Sequence, residues 1–413
     1  MEQQERVGER ELDQPQRAKP DAPPSRLTRA LLILTLIILV GEWAYVVVSA
    51  TKLTPPHVTD FAVYYAAASL LRHDPHGALY SVTTLQSAVA TYGGCPQSVL
   101  FNGYVYPPLL AILLEPFTYL TCAQALVVWT LVNALLWALS ALILVDMLRT
   151  RWPTPEARLG LWALVIGGSV AFWQNYPGLY LGQTHLLLLF CLALGIWLEQ
   201  NNRPWLAGAV IVFAALIRPL PALLLVYYLV QKRWAVIGGA LAAGLALLVV
   251  MLLGVGWETL VRSVPATLFA TVAQAHPGKD GALMVVAGPS GVALALLAGC
   301  VYMVTIVFRR GGDTALGAAW TLCTMLLVSP LVWGFYFVWL FPAFAICLRE
   351  GRSITRYRAA FYGSLAVIYA LLAAPFWPLL SSFALLALWV LCGAMYWRSS
   401  SPALRLASAV AVT

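Results

Sequence analysis

The sequence predicts an all-α protein that crosses a membrane about twelve times, because long apolar runs recur along it. Its 413 residues are 61% hydrophobic and only 10% charged, and the mean hydropathy is +0.81. Soluble domains are closer to one half apolar, so the chain does not fit a water-soluble globule. The apolar runs are roughly 13 to 27 residues long, around the length at which a helix crosses the hydrocarbon core. The sequence lacks the alternating segments of about ten residues that form outer-membrane barrels.

The predicted segments follow these runs in order. Residues 1–29 are rich in charged residues and proline and lack an apolar period, which predicts a disordered cytoplasmic tail. Residues 30–397 form the integral membrane domain, and residues 398–413 form a second cytoplasmic tail. The predicted spans are 30 to 50, 122 to 148, 159 to 177, 183 to 200, 205 to 217, 219 to 231, 235 to 255, 284 to 308, 314 to 329, 331 to 348, 359 to 374 and 377 to 397.

The first span is interpreted as an uncleaved anchor rather than a signal peptide. The charged tail before it is long, and Glu42 interrupts its apolar run, whereas a signal peptide has a short continuous apolar core. A cleaved signal peptide ending near Ala50 is the alternative. Among the cysteines, Cys95 and Cys122 both fall on the predicted extracytoplasmic side and are candidates for a disulfide.

The basic residues predict the orientation, since Lys and Arg are retained on the cytoplasmic side. Twenty of the 25 Lys and Arg residues fall on one side of this map. The five on the other side are Lys52, Arg72, Arg218, Arg262 and Lys279. Both termini are therefore predicted to be cytoplasmic. The net charge of +8 reflects this topology and contact with anionic lipid, and it gives no reason to expect nucleic-acid binding.

Two parts of the map are irregular. Residues 51–121 form a long extracytoplasmic segment, with surface helices predicted at 60 to 72 and 108 to 120, and a loop of this size usually has a function. The second part is the hairpin 205–231, which has Arg218 and two prolines at its centre. A 13-residue helix rises roughly 20 Å, less than the roughly 30 Å core, so the hairpin tip should lie within a protein-lined cavity.

Asp60 is the first candidate catalytic residue, because it follows the first span directly on the translocated side. Tyr64 and Tyr65 stand about one helical turn later, and Tyr106 lies further along the same extracytoplasmic segment. Carboxylates and aromatic rings facing one cavity suit a carbohydrate. The alternative is structural, since an aspartate at this position also caps a helix, and tyrosine is an ordinary interfacial residue.

Arg218 is the second candidate, because a guanidinium at membrane depth is costly unless it meets an anion. Its planar fork binds phosphate through two parallel hydrogen bonds. The alternative is an ion pair inside the protein, with Glu42 or Glu115 as the partner. Glu42 itself is interpreted as structural.

Two further sets of polar residues could contact a substrate. Gln183 and His185 follow a segment broken by Pro177 and Gly178, and they could equally cap the next helix. His276 and Lys279 share an extracytoplasmic loop that could close over a substrate or be solvated. The histidines near the start of the chain lack the helical spacing of metal ligands, so neither a metal nor a cofactor is expected.

These residues together resemble glycosyltransferase family 87, a group of integral membrane enzymes of the GT-C superfamily that includes polyprenol-phosphate-mannose-dependent α-mannosyltransferases. The resemblance runs from about residue 58 to residue 345, and each motif is degenerate alone but their order and spacing are fairly specific. The matching residues are Asp60-Phe61, Tyr64, Leu79-Tyr80, Tyr106-Pro107-Pro108, Gly182-Gln183, Gly208, Arg218-Pro219, Pro221, Tyr227, Ser329-Pro330, Trp333 and Trp339.

The resemblance implies that Asp60 is the catalytic base and that Gly182-Gln183 is the turn typical of the family. Arg218 stands where members usually have Lys, and His185 stands where Asn is common. Members also often carry His after the tryptophan that corresponds to Trp333. Here the next residues are Gly334, Phe335 and Tyr336, so the resemblance leaves Tyr336, His185 or His276 to take the place of that His.

The activity implied by the resemblance is metal-independent transfer of a hexose, mannose in the first place, with inversion at the anomeric carbon. The donor would be a polyprenyl-phosphate sugar and the acceptor a lipid or glycan, at the extracytoplasmic face of a bacterial cell membrane. The rival hypothesis is a secondary transporter or flippase of a polyprenyl-linked or amphipathic substrate, which also uses broken helices. Such a transporter should show two related halves, and the 51–121 segment has no counterpart in the second half.

Overall fold

The computed structural model describes residue 33 and the ranges 60–74, 79–88, 103–149, 155–267, 282–287, 290–351, 358–373 and 378–400. Within these ranges every regular element is a helix. The predicted all-α class is therefore confirmed for the described part of the chain. Most of the first predicted span, the predicted N-terminal tail, residues 401–413 of the predicted C-terminal tail, Glu42, Cys95, His276 and Lys279 lie outside it. The last helix continues to Ser399, two residues beyond the predicted end of the membrane domain.

The first half of the described chain contains three short helices, one long helix and several of intermediate length. They are α1 (Asp60–His73), α2 (Val82–Ala88), α3 (Pro108–Leu114), a 3₁₀ helix (Glu115–Tyr119), α4 (Cys122–Arg149), α5 (Pro155–Ala171), α6 (Asn175–Tyr180) and α7 (His185–Gln200). Cys122, the first residue of α4, takes part in a disulfide.

The second half begins with the predicted short hairpin. Its elements are α8 (Pro204–Ile217), α9 (Ala222–Val230), α10 (Trp234–Glu258), a π-helix (Thr259–Ser263), α11 (Ala282–Ala287), α12 (Ser290–Phe308), α13 (Thr314–Leu327), a 3₁₀ helix (Gly334–Leu340), α14 (Phe341–Glu350), α15 (Arg358–Ala373) and α16 (Pro378–Ser399).

Four of the described helices are long and apolar enough to cross a membrane. They cover Cys122–Leu148, Trp234–Thr267, Ser290–Phe308 and Leu379–Ser399. Shorter apolar helices, among them α7, α8 and α13, lie beside them. This is the architecture of a helical membrane protein, and the number of twelve crossings and the orientation stay predictions.

The helix α1 is present as predicted, but it is buried in the protein rather than exposed. Its residues 61 to 71 are all buried, and it packs against α2, α3, the 115–119 helix and α4. The reason is in its sequence, which carries apolar side chains around the whole helix instead of along one stripe. Asp60 is thereby fixed at the start of a rigid element.

Two predicted spans have different boundaries in the structure. The span at 159 to 177 ends at Ala171, and the short helix α6 follows, with Pro177 within its first turn, where proline is tolerated. The span at 331 to 348 is a 3₁₀ helix that leads into α14. Because residues three apart eclipse each other in a 3₁₀ helix, Tyr336 stacks on Trp339 with ring centroids 4.6 Å apart.

The short hairpin is held by close packing of α8 against α10. A Cβ atom at Gly208 would overlap the backbone of Val236, and one at Gly239 would overlap the backbone of Trp205. Small residues at such positions let two helix backbones approach closely in a membrane. Arg218 follows the last residue of α8 in an extended conformation, φ −142° and ψ 135°, and this turns its side chain out of the helix.

Candidate active site

Six predicted side chains from five separate segments meet in one place, which we call the Asp60–Arg218 cluster. The segments are the start of α1, the loop before α3, the turn before α7, the end of α8 and the 334–340 helix. The members are Asp60, Tyr64, Tyr106, Gln183, Arg218 and Tyr336.

The turn before α7 is anchored to α1 and α4. The backbone amide of Phe61 donates to the carbonyl oxygen of Leu181 at 3.0 Å, and the Trp129 indole donates to the carbonyl oxygen of Gly182 at 2.8 Å. Gly182 has φ +67°, a left-handed conformation that glycine adopts without steric cost. These contacts place Gln183 opposite Asp60.

Gln183 joins the two charged members of the cluster. Its Nε2 atom donates to Asp60 Oδ2. Its Oε1 atom accepts hydrogen bonds from the Tyr64 hydroxyl at 2.9 Å and from Arg218 Nη2 at 3.0 Å. One amide thus places its donor on the carboxylate and its acceptor on the guanidinium, the orientation that satisfies both groups.

Arg218 is surrounded by neutral hydroxyl groups. Its Nη2 donates to the Tyr106 hydroxyl at 2.7 Å, its Nη1 to the Tyr336 hydroxyl, and its Nε to Thr184 Oγ1 at 3.4 Å. The guanidinium carbon also lies 4.7 Å from the ring centroids of both tyrosines, which is within cation–π distance.

No described carboxylate oxygen lies within 4.0 Å of the Arg218 guanidinium. The alternative of an ion pair with Glu115 is therefore wrong, and Glu42 lies outside the described residues. Among the described residues, its hydrogen-bond partners are all neutral. A partly buried cation with neutral partners is suited to receive an anion.

Asp60 lies partly buried, in the first turn of α1. Its carboxylate accepts from Gln183, and among the described residues no amide of α1 donates to it, which disfavours the helix-cap alternative. Burial raises the pKa of Asp60, and it outweighs the opposing effects of the Gln183 hydrogen bond and the Arg218 charge. A carboxylate with a raised pKa is a stronger base than one in water.

The loop that carries Tyr106 is fixed by other tyrosines. The Tyr104 hydroxyl donates to the Pro107 carbonyl oxygen at 2.8 Å and accepts from the Ala111 amide at 3.1 Å. The Tyr80 hydroxyl donates to the carbonyl oxygen of Tyr106 at 2.8 Å. The Tyr106 hydroxyl lies 2.9 Å from that of Tyr64, so the phenols form a continuous wall beside Arg218.

His185, predicted to bind substrate, lies next to the cluster, and within the described ranges its ring makes no hydrogen bond to a side chain of the cluster. The residue is 1% exposed, and its Nε2 atom lies 2.8 Å from Asn175 Oδ1. The carbonyl oxygen of His185 accepts from the Trp339 indole at 2.9 Å. We therefore place His185 among the residues that position the turn and the 334–340 helix.

Sequence reasoning missed three supporting residues, namely Trp129, Thr184 and Asn175. Trp129 is one of 16 tryptophans, and nothing in the sequence distinguishes it from those that face lipid. Thr184 is adjacent to the predicted residue Gln183, and this position in the sequence could have indicated that it belongs to the site. Asn175 is fully buried, and a polar residue at the start of a short helix carries no signal of its buried partner.

Comparison with known proteins identifies the family. The model of glycosyltransferase family 87 matches residues 104–330, more than half of the chain. The chain belongs to glycosyltransferase family 87. The matched region of this family 87 protein contains Tyr106, Gln183 and Arg218, while Asp60 and Tyr336 lie outside its ends.

Two curated relatives of the family 87 chain come from Mycobacterium tuberculosis. One is a polyprenol-phosphate-mannose-dependent alpha-(1-2)-phosphatidylinositol pentamannoside mannosyltransferase, 24% identical over 89% of this chain and 82% of the relative. The other is the corresponding phosphatidylinositol mannoside mannosyltransferase, 27% identical over 61% of this chain and 64% of the relative. An alpha-(1->3)-arabinofuranosyltransferase of Corynebacterium glutamicum is 30% identical over 32% of this chain and 30% of its own length. No solved structure matches.

The first prediction concerns Gly182. Replacing it by alanine is expected to destabilise the protein by about 1–3 kcal/mol, because a non-glycine residue is strained at this φ, and to slow sugar transfer. The new Cβ atom would lie 2.6 Å from Phe61 Cβ, so α1 and Gln183 would move apart. Thermal unfolding in detergent and the transfer rate measure the two effects. Gly363→Ala is the control, since a Cβ there meets nothing within 4 Å. Equal behaviour of the two variants would contradict the role of the turn.

Proposed function

We propose that this family 87 enzyme transfers a hexose, mannose in the first place, from a polyprenyl-phosphate sugar to a lipid or glycan acceptor. The observation that supports this proposal most strongly is the Asp60–Arg218 cluster. In it the Gln183 amide bonds to both the Asp60 carboxylate and the Arg218 guanidinium, and the other partners of the guanidinium are neutral hydroxyl groups. The names of the two mycobacterial relatives support polyprenol-phosphate mannose as the donor and a mannosylated phospholipid as the class of acceptor. The third relative is named an arabinofuranosyltransferase, so the assay must also determine which sugar is transferred.

In the proposed reaction, Asp60 takes the proton of an acceptor hydroxyl as its oxygen attacks the anomeric carbon. The new bond joins the acceptor oxygen to that carbon, and the bond from the carbon to the phosphate oxygen breaks. The electron pair leaves with the polyprenyl phosphate, whose charge Arg218 stabilises. Attack opposite the phosphate in a single step converts a β-linked donor into an α-linked product.

The tyrosines have two proposed tasks. In the free protein, Tyr106 and Tyr336 hold the guanidinium in position between their hydroxyl groups. A phosphate offers the guanidinium an oppositely charged partner that can accept two parallel hydrogen bonds, so it can displace one of these neutral hydroxyl groups. The released hydroxyl, together with that of Tyr64, is then available to the phosphate or to the sugar.

The proposed reaction needs no divalent metal, because the leaving group is one phosphate and a cation of the chain already faces it. Within the described ranges, no group of three His, Cys, Asp or Glu side chains is placed to hold a metal ion. Full activity of the purified enzyme in a chelator such as EDTA would support metal independence. Loss of activity in the chelator, with recovery when a divalent metal is added, would overturn it.

Purified protein in detergent provides the test of function. With radiolabelled polyprenyl-phosphate mannose and a phosphatidylinositol mannoside acceptor, we expect labelled product without any nucleotide sugar, and its anomeric configuration can be read by NMR. A transporter or flippase needs two compartments and would give no product in detergent. Absence of transfer from any polyprenyl-phosphate sugar, with transport by the same protein in liposomes, would favour the rival hypothesis.

The second prediction concerns the face at which the reaction occurs. The distribution of Lys and Arg predicts that the Asp60–Arg218 cluster opens to the extracytoplasmic side. After replacement of Cys95 and Cys122, cysteines introduced by Thr91→Cys and Gly278→Cys should react with an impermeant thiol reagent added to intact cells, and that of Thr355→Cys should not. Labelling of Thr355→Cys in sealed cells would reverse the orientation.

The third prediction concerns pH. Because Asp60 must be deprotonated to accept a proton, kcat/KM should fall as the pH is lowered through its pKa. Burial raises the pKa of Asp60, and this carboxylate lies in the predicted extracytoplasmic segment, so the acid limb should lie above the ordinary aspartate value of about 3.9. The folded state holds the Asp60 proton more tightly than the unfolded state, so the contribution of this residue to stability is largest at low pH and is lost as the pH rises through the raised pKa. An acid limb at or below the ordinary value would contradict the assignment.

A further inference from the structure

Two exposed tryptophans lie beside the Asp60–Arg218 cluster, and neither has a part in the proposed reaction. Trp333 directly precedes the 334–340 helix and Trp173 lies two residues before α6, and these residues are 52% and 53% exposed. Their segments are in contact, because the 334–340 helix packs against α6 and a Cβ atom at Gly334 would overlap the side chain of Gln174. We call Trp173 and Trp333 the tryptophan pair.

Trp333 is connected to the cluster by packed aromatic rings. Its ring is parallel to that of Phe335, with the centroids 6.3 Å apart, and the Phe335 ring meets that of Tyr336 edge to face at 5.0 Å. Phe335 is buried, so it fixes the orientation of the exposed indole. Two ring steps therefore separate Trp333 from Tyr336, whose hydroxyl accepts from Arg218.

Both members of the pair keep binding groups open. About half of each residue is exposed, and within the described ranges neither indole N–H has a hydrogen-bond partner. The buried indoles of Trp129 and Trp339, by contrast, both donate to backbone carbonyl oxygens. An exposed indole offers a ligand one electron-rich face and one N–H donor.

The surroundings of the pair favour a neutral ligand. Tryptophan also anchors proteins at the headgroup level of a membrane, so lipid is the alternative occupant. Residues 159–198 and 314–348, which include both tryptophans and the helices next to them, contain no Asp, Glu, Lys or Arg. A charged phospholipid headgroup would therefore meet no charged side chain from these segments, whereas a neutral ligand needs none.

A carbohydrate matches these groups. One face of a sugar ring carries C–H groups, which pack on the electron-rich face of an indole, and its hydroxyl groups can accept from the indole N–H. In the proposed reaction the reacting hydroxyl of the acceptor lies at Asp60, so the rest of the acceptor extends away from the cluster. Trp333 is near enough to Tyr336 for the sugar next to the reacting one to lie on its ring.

We propose that the tryptophan pair binds the carbohydrate part of the acceptor, with the sugar next to the reacting one packed on Trp333 and the following sugar on Trp173. This inference rests on the proposed function and makes it more specific. The acceptor is a glycan, free or attached to lipid, that has at least two neutral sugar residues. The donor contacts of Arg218 do not involve the pair.

Transfer by the purified full-length protein tests the proposal. The donor is polyprenyl-phosphate mannose, and the acceptors are phosphatidylinositol mannosides with one and with four mannose residues. We expect Trp333→Ala to raise the KM for the longer acceptor roughly three- to tenfold, the size of one aromatic contact. The KM values for the shorter acceptor and for the donor should stay near those of the parent. Trp333→Phe keeps an aromatic face and should restore most of the affinity.

The control variant is Trp257→Ala, which removes another exposed tryptophan, at the end of α10 on the same predicted side. It should leave both acceptor KM values unchanged. A membrane anchor predicts instead that Trp333→Ala and Trp257→Ala act alike and equally on both acceptors, and this result would overturn the proposal. An unchanged KM for the longer acceptor in Trp333→Ala would overturn it as well.

Binding without donor separates this proposal from the proposed function. In saturation-transfer NMR with a soluble methyl mannotrioside, irradiation of aromatic protons of the unaltered protein should reach the C–H protons of the sugar. Trp333→Ala should reduce this transfer and Trp257→Ala should not. Glycan binding that depends on Trp333 in a protein that transfers no sugar would refute the proposed function alone. Sugar transfer without any such binding would refute the role of the pair alone, and this measurement on the unaltered protein decides even where Trp333→Ala does not fold.

Discussion

Asp60→Asn is expected to reduce the rate of sugar transfer by about 10²- to 10⁴-fold, the usual cost of losing a general base. The fold should remain intact. An asparagine oxygen can accept the hydrogen bond from Gln183, and the backbone bond between Phe61 and Leu181 does not involve the side chain. Because burial disfavours the ionised carboxylate, the neutral variant should unfold at the same temperature as the parent or at a higher one near neutral pH.

Two measurements together distinguish a base from a structural residue. A catalytic Asp60 predicts lost turnover with unchanged donor-induced thermal stabilisation, since the phosphate contacts remain. A helix cap predicts the reverse, a protein with lower thermal stability and appreciable residual turnover, because removing a cap typically costs about 1 kcal/mol. Transfer at the parental rate by a purified, folded Asp60→Asn protein would refute the mechanism.

The sequence was sufficient to single out the two charged residues that meet in the cluster, because charge is rare in this chain. With 10% charged residues overall, a carboxylate just after an apolar run and an arginine between two apolar helices stand out against their surroundings. The contacts that place Asp60 and Arg218 in one cluster were not predictable from the sequence. Gln183 bonds to both Asp60 and Arg218, and its amide could have faced either way. Arg218 also donates to Tyr336, which comes more than one hundred residues later in the chain.

Composition predicted that these segments form helices. It did not predict what the helices pack against or where the irregular turns lie. The α1 segment has the pattern of a short helix, yet its burial depends on which partners cover it, and those come from distant parts of the chain. The 3₁₀ helix at Gly334–Leu340 has the apolar composition of a span. Its distinguishing tertiary contacts are those of Tyr336 with Arg218 and of the Trp339 indole with the His185 carbonyl oxygen, and composition does not encode them.

Replacing Arg218 by alanine is expected to lower kcat by roughly 10²- to 10³-fold, the typical cost of removing one donor to the charge that develops in a transition state. It should also weaken donor binding, because among the described residues of the cluster Arg218 supplies the positive charge that would bind the donor phosphate. Arg218→Lys should retain more activity than Arg218→Ala. A lysine preserves the positive charge, but a single ammonium group does not reproduce the planar fork that spans Tyr106 and Tyr336. The measurements are kcat, the KM for the donor, and the thermal shift on adding polyprenyl-phosphate sugar.

Arg262→Ala is a suitable control, since Arg262 pairs with Glu258 on an exposed surface, where such pairs contribute little. A structural role for Arg218 would give a different pattern from a phosphate-binding role. Removing one partner of a buried ion pair strands a charge and costs about 3–5 kcal/mol, so the alanine variant would unfold early while its remaining folded fraction still bound donor. Because the described partners of Arg218 are neutral hydroxyl and amide oxygens, its removal strands no carboxylate among them, and we expect near-parental stability without donor. A destabilised Arg218→Ala protein that still gains stability from the donor would exclude the phosphate role.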